Sequence, residues 1–308
     1  MVFAPPIIGI WYWCTDQYIV QRVLSAKNVS EARKGTIFAG YLKLLPIFMF
    51  FIPGLIAYAM TKTGQLSYGS SDQVFPTLVR ELLPSGIRGL VAGGLLAALM
   101  SSLSSVFNSC STLFTMDIYK KLYPETDEKK LVFVGRIATG IVVLSGILWI
   151  PFIKVVSGAG LYTYLQSVQA YIAPPIASVF LLGLFWSRIN ASGALAALVG
   201  GFIAGMIRLG LEIKKSTLPV DGIWYQIADL NFLYFAIFSF LTCVVVLIAV
   251  SMLTPPPDLE KINGLTYDTS KKNIPKADHP KSDKINSYII LAILALILIY
   301  FSPIGIGG

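Results

Sequence analysis

The sequence predicts an all-α integral membrane protein with about eight transmembrane helices. Hydrophobic residues make up 55% of the 308 residues and charged residues only 13%, a composition that favours a membrane protein over a soluble one. Apolar segments of about twenty residues, long enough to cross roughly 30 Å of hydrocarbon, recur along the chain. Because these segments are unbroken runs rather than alternating patterns, they indicate helices and not a β-barrel.

The predicted spans and the charges between them also give an orientation. The spans lie at about residues 4–21, 36–60, 86–118, 131–153, 160–185, 190–213, 230–253 and 286–302. The net charge of +8 comes from Lys and Arg that fall mainly in loops, so it is better explained by membrane orientation than by nucleic-acid binding. One set of alternate loops holds 15 of these cations and the other holds 7. The loops that hold 15 are predicted to be cytoplasmic, which makes the C-terminus extracellular.

Two segments outside the spans have distinct patterns. Asp72 to Pro84 carries apolar residues at helical spacing, which predicts a short amphipathic helix at the outer membrane surface. Thr254 to Ser282 begins with three prolines and is rich in Lys, Asp and Asn, which is typical of a mobile linker, cytoplasmic in this topology.

The third span carries a stripe of small and oxygen-bearing side chains. Its members recur at three- and four-residue steps and therefore share one helical face; they are Ala98, Ser101, Ser102, Ser105, Asn108 and Thr112. Such hydroxyls can bond back to the carbonyl four residues earlier or allow close helix packing. They can also bind a ligand, and the stripe alone leaves these alternatives open.

Polar residues inside three other spans are candidate ligand contacts. The run WYWCTDQ, Trp11 to Gln17, combines flat aromatic rings with hydrogen-bonding groups, which suits a sugar site, although aromatic residues in spans also face lipid. Asp16 is expected to face a water-lined cavity or a cation. Lys43 either serves a site or extends its long stem to the membrane surface. Gln166 and Gln169 donate and accept hydrogen bonds, which suits a polyhydroxyl ligand.

Other features argue against further classes of protein. Pro174 and Pro175 are expected to bend or break the fifth span. The histidine, His279, lies in the polar linker, and the spans contain no paired acids or activated nucleophile, so an enzyme is not expected. The three cysteines are too scattered for a zinc site and are interpreted as packing residues; they are Cys14, Cys110 and Cys243.

Several longer runs resemble the sodium/glucose cotransporters of the sodium/solute symporter family. They are WYWCTDQYIVQRVLSAKN, GYLKLLP, FPTLVRELLPSGIRGL, ALMSSLSSVFNSCSTLFTMDIYKKL and YLQSVQAYIAPPIASVFLLGLFWSRIN. Gly183 to Ile203 also fits the family signature of a basic residue followed by Gly-Ala and a glycine-rich run. The resemblance extends over nearly the whole chain, which corresponds to about the second half of the family's length.

The resemblance implies a bundle of two inverted five-helix repeats (LeuT-like) around a midplane site. Residues 1–185 are then the second repeat with part of the sodium and sugar sites, and 186–253 are two appended helices. The polar linker spans 254–285, and the last helix spans 286–308. The first repeat, the N-terminal half of the same transporter, is expected to be missing from this chain and to be its partner.

The resemblance assigns the sodium site to the third span. The carbonyl of Ala98 and the hydroxyls of Ser101 and Ser102 match the family's sodium ligands, and a hard cation prefers such oxygen ligands. Ser104 and Ser105 match hydroxyls of a second sodium site in members that couple to two ions. The sodium ion is therefore the expected cofactor.

The sugar contacts implied by the resemblance are Tyr12, Trp13, Lys43 and Gln166. Gly9 and Gln169 depart from the family pattern close to these positions, so a sugar or polyol is expected rather than glucose in particular. The expected function is sodium-coupled symport of a glucose-like hexose or related polyol by a multi-pass plasma membrane protein. Its partners are the sugar, sodium and the lipid bilayer, and no nucleic acid. The alternative is a non-transporting sodium-dependent sugar sensor or a truncated regulatory isoform.

Overall fold

The computed structural model describes residues 3–156, 160–270 and 280–301. Helices are the regular elements of these residues, and seven of them are long and apolar enough to cross a membrane, which confirms the predicted fold class. The linker residues 271–279, which include His279, lie outside the described residues.

The seven long helices agree closely with seven of the predicted spans. They are α3 (Val29–Lys62), α5 (Ser85–Thr112), α7 (Glu128–Val156), α8 (Leu161–Phe185), α9 (Ala191–Ile213), α11 (Phe232–Leu253) and α14 (Lys281–Tyr300). The shorter helices are α1 (Ala4–Ile10), α2 (Gln17–Leu24), α4 (Val74–Leu82), α6 (Lys120–Leu122), α10 (Ile223–Asp229), α12 (Leu259–Ile262) and α13 (Tyr267–Ser270). Helix α4 lies within the segment predicted to be amphipathic. Its Leu78 is buried against Ala57 and Leu66.

The first predicted span is interrupted, and the prediction of a continuous helix there is wrong. Helix α1 continues into a π-helical turn, Trp11–Thr15, and the chain then becomes extended at Asp16 before α2 begins. Thr15 donates a hydrogen bond to the Trp11 carbonyl at 2.5 Å, and the Tyr18 N–H donates to the Asp16 carboxylate at 3.4 Å. Short polar side chains compete with helical hydrogen bonding in this way, so Asp16 starts α2 as a capping residue does.

Helix α8 was predicted to bend or break at its two prolines, but it continues through Pro174 and Pro175 without a break. Both rings are buried, and Pro175 lies against Gly201 of α9. The carbonyl of Tyr171, which loses its usual partner four residues later, lies close to Gly205 of α9. Close packing on glycines therefore accommodates the prolines inside a straight run of helix.

The described residues divide into two compact units, taken here one at a time. Residues within Met1–Val20 and Ala92–Ile274 form the first unit, and those within Gln21–Val91 and Pro275–Gly308 form the second. In the first unit α8, α9 and α11 pack against one another, and α1 packs on α8 and α11 through Ala4, Ala170 and Ala236. Helix α9 presents Gly193, Gly201 and Gly205 to its neighbours, as expected for close contacts between membrane helices.

Candidate functional site

The interrupted helix places the predicted aromatic residues on an irregular segment beside α8. The π-helical turn packs against α8, the helix that carries Gln166. The Tyr12 hydroxyl lies 2.7 Å from the Tyr18 hydroxyl, and the Tyr12 and Trp13 rings meet edge to face with centroids 5.3 Å apart. Tyr12 is thus held by aromatic contacts, while Trp13 remains exposed.

The first residue after the break at Asp16 was missed by the sequence analysis as an individual candidate. Gln17 begins α2, and its amide oxygen Oε1 is buried without a hydrogen-bond donor among the described residues. A buried amide oxygen is costly to leave unpaired, so such an atom marks a place where a ligand or water can donate. The Thr-Asp pair just before it is a helix-start pattern and was the available signal for the break.

The predicted sugar contacts are divided between the two compact units. Gln166 is partly buried in α8, and no hydrogen bond connects it to Tyr12 or Trp13 in the described chain. Lys43 lies on α3 in the second unit and is exposed. The first unit therefore holds Tyr12, Trp13 and Gln166, and among its described residues no hydrogen bond joins the Gln166 amide to either aromatic residue.

The predicted sodium ligands lie on one regular helix. Ala98, Ser101 and Ser102 follow one another at positions i, i+3 and i+4 of α5, so the carbonyl and the two hydroxyls share one face. All three residues are exposed, as is Ser104, while Ser105 is half-buried. Among the described residues no other element covers this part of α5.

The hydroxyls of the stripe differ in what they bond. Ser105 donates to the Ser101 carbonyl at 3.0 Å and Thr112 to the Asn108 carbonyl at 2.8 Å, as hydroxyls in membrane helices commonly do. Ser111 donates across to the Gly135 carbonyl of α7 at 2.8 Å. In the described part of the chain the side chains of Ser101, Ser102 and Ser104 make no hydrogen bond.

A buried ion pair on α9 was also missed, because Arg208 was counted among the loop cations. Arg208 is only 2% exposed and donates to Glu212 at 2.8 Å and to the Leu230 carbonyl at 2.6 Å. The Tyr171 hydroxyl of α8 donates to the other oxygen of Glu212. Arg208 and Glu212 are four residues apart within an apolar run, a spacing that places them side by side on one helical face. This pair links α8, α9 and the C-terminal end of α10.

These features together define a class of protein. A multi-pass helical bundle with an interrupted helix carrying aromatic and polar groups is typical of secondary transporters, whose irregular backbone lines a ligand site. A model of the sodium:solute symporter family matches residues 4–201. The chain belongs to this family.

Known relatives are about 40% identical to this chain over the aligned residues. Sodium/myo-inositol cotransporter 2 of Bos taurus is 39% identical over 302 residues, which cover 91% of this chain and 45% of the relative. Sodium/glucose cotransporter 1 of Ovis aries is 41% identical over 272 residues, covering 83% of this chain and 41% of the relative. A sodium/mannose cotransporter of Bos taurus is 40% identical, covering 89% and 49%. The chain thus spans less than half the length of these relatives.

Proposed function

We propose that this chain forms the second inverted repeat and the following helices of a sodium-coupled symporter for a sugar or polyol in the plasma membrane. The family membership and the transport functions for which the relatives are named support the class of reaction. The single structural observation that carries it is the uncommitted hydroxyl pair of Ser101 and Ser102 on an exposed helical face. Oxygen ligands without a carboxylate suit a weakly held monovalent cation.

The substrate that we propose is a cyclic polyol or hexose. Tyr12 and Trp13 offer flat ring faces to C–H groups, and Gln166 offers an amide that donates and accepts to hydroxyls. Lys43 is the remaining proposed contact. Gly9, one turn before Tyr12, leaves room where a larger side chain would narrow the site, since nothing lies within 4 Å of the Cβ position there.

Coupling follows from differential affinity for two conformations. Sodium bound by α5 favours the arrangement that accepts substrate from outside, so the sodium gradient drives uptake. The face of α5 that carries Ala98, Ser101 and Ser102 is exposed, so the proposal assigns its opposite wall to the first repeat. Ser104 and Ser105 are proposed ligands of a second sodium ion. The C-terminus is proposed to be extracellular.

The test is a chimera. The first half of the sodium/myo-inositol cotransporter 2 of Oryctolagus cuniculus, a relative 41% identical to this chain, is joined to these 308 residues and expressed in oocytes. Sodium-dependent uptake of labelled myo-inositol, glucose and mannose is measured together with membrane current. We expect uptake of at least one of them, and no uptake by the 308 residues alone.

Three substitutions locate the sites within the chimera. Ser101→Ala is expected to raise the sodium concentration for half-maximal uptake about 10-fold, the equivalent of one lost ligand interaction of ~1.4 kcal/mol. Gln166→Ala is expected to raise the substrate concentration for half-maximal uptake and to leave the sodium dependence unchanged. Ser145→Ala removes an exposed hydroxyl of α7 that bonds back to Ile141 and serves as the control. Unchanged sodium and substrate dependence in both variants would overturn the site assignment. Current without accumulated substrate would favour the sensor.

A further inference from the structure

The second unit contains a polar pocket between two parallel helices that the transport function does not use. Helices α3 and α14 run in the same direction, because residues later in α3 contact residues later in α14. The contacting pairs are Arg33 with Asp283, Tyr41 with Asn286, and Phe51 with Phe301. The two helices therefore start at the same membrane surface. The second and third turns of α3 and the first three turns of α14 line an open pocket of about 500 Å³, which is large enough for a lipid headgroup.

The pocket combines two cations with one buried carboxylate. Arg33 and Lys284 line it together with Asp283, which is only 6% exposed. One net positive charge remains after the carboxylate is counted. The N-terminal end of α14, whose first turn lines the pocket, adds a positive dipole end, which favours an anionic group at this position.

Asp283 is the feature that restricts the ligand. Its Oδ2 atom is buried and accepts no hydrogen bond from the described residues, because the Arg33 Nη1 atom stays 3.7 Å away. A buried carboxylate oxygen without a donor is costly. A ligand that satisfies it must supply a hydrogen-bond donor, and a cationic donor satisfies it best.

Below the charged groups the lining of the pocket combines the hydroxyl-bearing Thr36, Ser287 and Tyr288 with the apolar Ile37 and Leu291. Below the charged turn, Gly40 lies against Ile290, where an added Cβ would come within 3.0 Å of the Ile290 Cδ1 atom. Ile37 and Leu291 line the lower part of the pocket, and apolar side chains such as Phe38 and Ile289 continue it on the outer surface of both membrane helices.

We propose that this pocket binds the headgroup of an aminophospholipid, a lipid that carries both a phosphate and a primary ammonium. The phosphate lies between Arg33, Lys284 and the N-terminus of α14, and the ammonium donates to Asp283. The acyl chains descend along Ile37 and Leu291 into the bilayer. The predicted topology places the pocket at the cytoplasmic leaflet, where anionic aminophospholipid is concentrated.

The first test uses the unmodified 308-residue chain. It is purified in detergent and mixed with synthetic lipids of identical acyl chains, and retained lipids are counted by native mass spectrometry. Phosphatidylethanolamine and phosphatidylserine are expected to be retained about 10-fold more than phosphatidylcholine, since a hydrogen bond to a charged group is worth ~1.5 kcal/mol or more. Retention is expected to fall stepwise as the ammonium is methylated once, twice and three times.

Two further probes distinguish other ligand sources. Phosphatidylglycerol has the phosphate without the ammonium and is expected to bind less than phosphatidylserine. Equal retention would mean that charge alone decides and would overturn the role of Asp283. Free O-phosphoethanolamine is expected not to compete, because it lacks acyl chains. Competition by this soluble compound would overturn the assignment to a membrane lipid.

Substitutions in the pocket give the second test. Asp283→Asn is expected to lower phosphatidylethanolamine retention to the level of phosphatidylcholine, while phosphatidylcholine retention stays unchanged and thereby reports an intact fold. Asp268→Asn, an exposed aspartate on α13, is the matched control. Lys284→Gln is expected to lower retention of all these phospholipids, and the exposed Lys281→Gln is expected to have no effect. A preference for the primary ammonium that survives Asp283→Asn would contradict the proposal.

Discussion

Helices α5 and α8 both cross the hydrophobic length of a membrane and both carry serines, but their surroundings differ. In the most apolar part of α8, 39% of the residues are buried, whereas none are buried in that of α5. Ser178 of α8 lies in the core and donates to the Pro175 carbonyl at 2.8 Å. Ser101 and Ser102 of α5 are exposed, and their hydroxyls make no hydrogen bond in the described chain. Hydropathy identifies both spans, and only the neighbours decide whether a hydroxyl stabilises the fold or is available to a ligand.

The largest expected effect concerns the ion pair that joins the packed helices. Arg208→Met removes the partner of Glu212, whose side chain is 18% exposed, and is expected to lower the free energy of unfolding by about 3–5 kcal/mol because a partly buried carboxylate is left unpaired. Unfolding of the purified chain is followed by circular dichroism in mixed micelles with increasing dodecyl sulfate.

Two controls separate this effect from the loss of any arginine. Arg208→Met combined with Glu212→Gln is expected to recover part of the loss, since no unpaired charge remains. Arg80→Met removes an arginine whose pair with Glu81 is exposed, and it is expected to change stability by less than ~1 kcal/mol. Equal effects of Arg208→Met and Arg80→Met would show that α8, α9 and α11 do not form a tightly packed core.

This contrast also shows what could be predicted from the sequence. The apolar runs predict seven long helices closely, because transfer to hydrocarbon depends on the composition of each segment by itself. The burial of Arg208 could not be predicted in this way, since it depends on Tyr171 and Leu230, which are distant in sequence. The same holds for Pro174, which remains helical because α8 packs closely on α9.

The residues of the candidate site could be chosen from the sequence, but their placement relative to one another could not be predicted from it. Helical spacing is enough to place Ser101 and Ser102 on one face with the Ala98 carbonyl. The break at Asp16 was not predicted, although Thr15 and Asp16 are residues typical of a helix start, because a cap is defined by its backbone geometry and the residue types alone do not fix that geometry. The distance between Tyr12 and Gln166 depends on how separate helices pack, which no local pattern contains.

The second prediction tests the glycine contacts of α9. At Gly201 an added Cβ would lie 2.5 Å from the Pro175 Cβ atom and 2.8 Å from the Cys243 Sγ atom. Gly201→Ala is therefore expected to destabilise the chain by about 1–3 kcal/mol through overpacking. At the neighbouring Gly200 nothing lies within 4 Å of the Cβ position, so Gly200→Ala is expected to be neutral or stabilising by up to about 1 kcal/mol. The same unfolding titration measures both, and similar values would refute the close packing of α8, α9 and α11.

The third prediction compares the two serine environments directly. Ser178→Ala removes a buried hydrogen bond and is expected to cost about 1 kcal/mol of unfolding free energy. Ser101→Ala removes an exposed hydroxyl without a partner and is expected to change it by less than ~0.5 kcal/mol. If Ser101→Ala proved the more destabilising of the two, Ser101 would be a packing residue of the fold and its assignment as a sodium ligand would lose its structural support.

The smallest expected effect concerns an exposed ion pair next to the buried one. Lys215 and Asp229 lie between α9 and α11, with the Lys215 Nζ and Asp229 Oδ1 atoms 2.5 Å apart. The hydrogen bond from Lys215, together with its charge, lowers the pKa of Asp229 below the ordinary value of about 3.9. Because the folded pKa is the lower one, the pair stabilises the fold above the ordinary pKa, and this contribution is lost as the pH falls through the folded pKa.

Lys215→Met is expected to return the pKa of Asp229, measured by NMR titration of labelled aspartate, to its ordinary value, with little change in stability at neutral pH. A large loss of stability would show that exposed pairs contribute as much as Arg208 and Glu212, and that burial is not what distinguishes the packed helices.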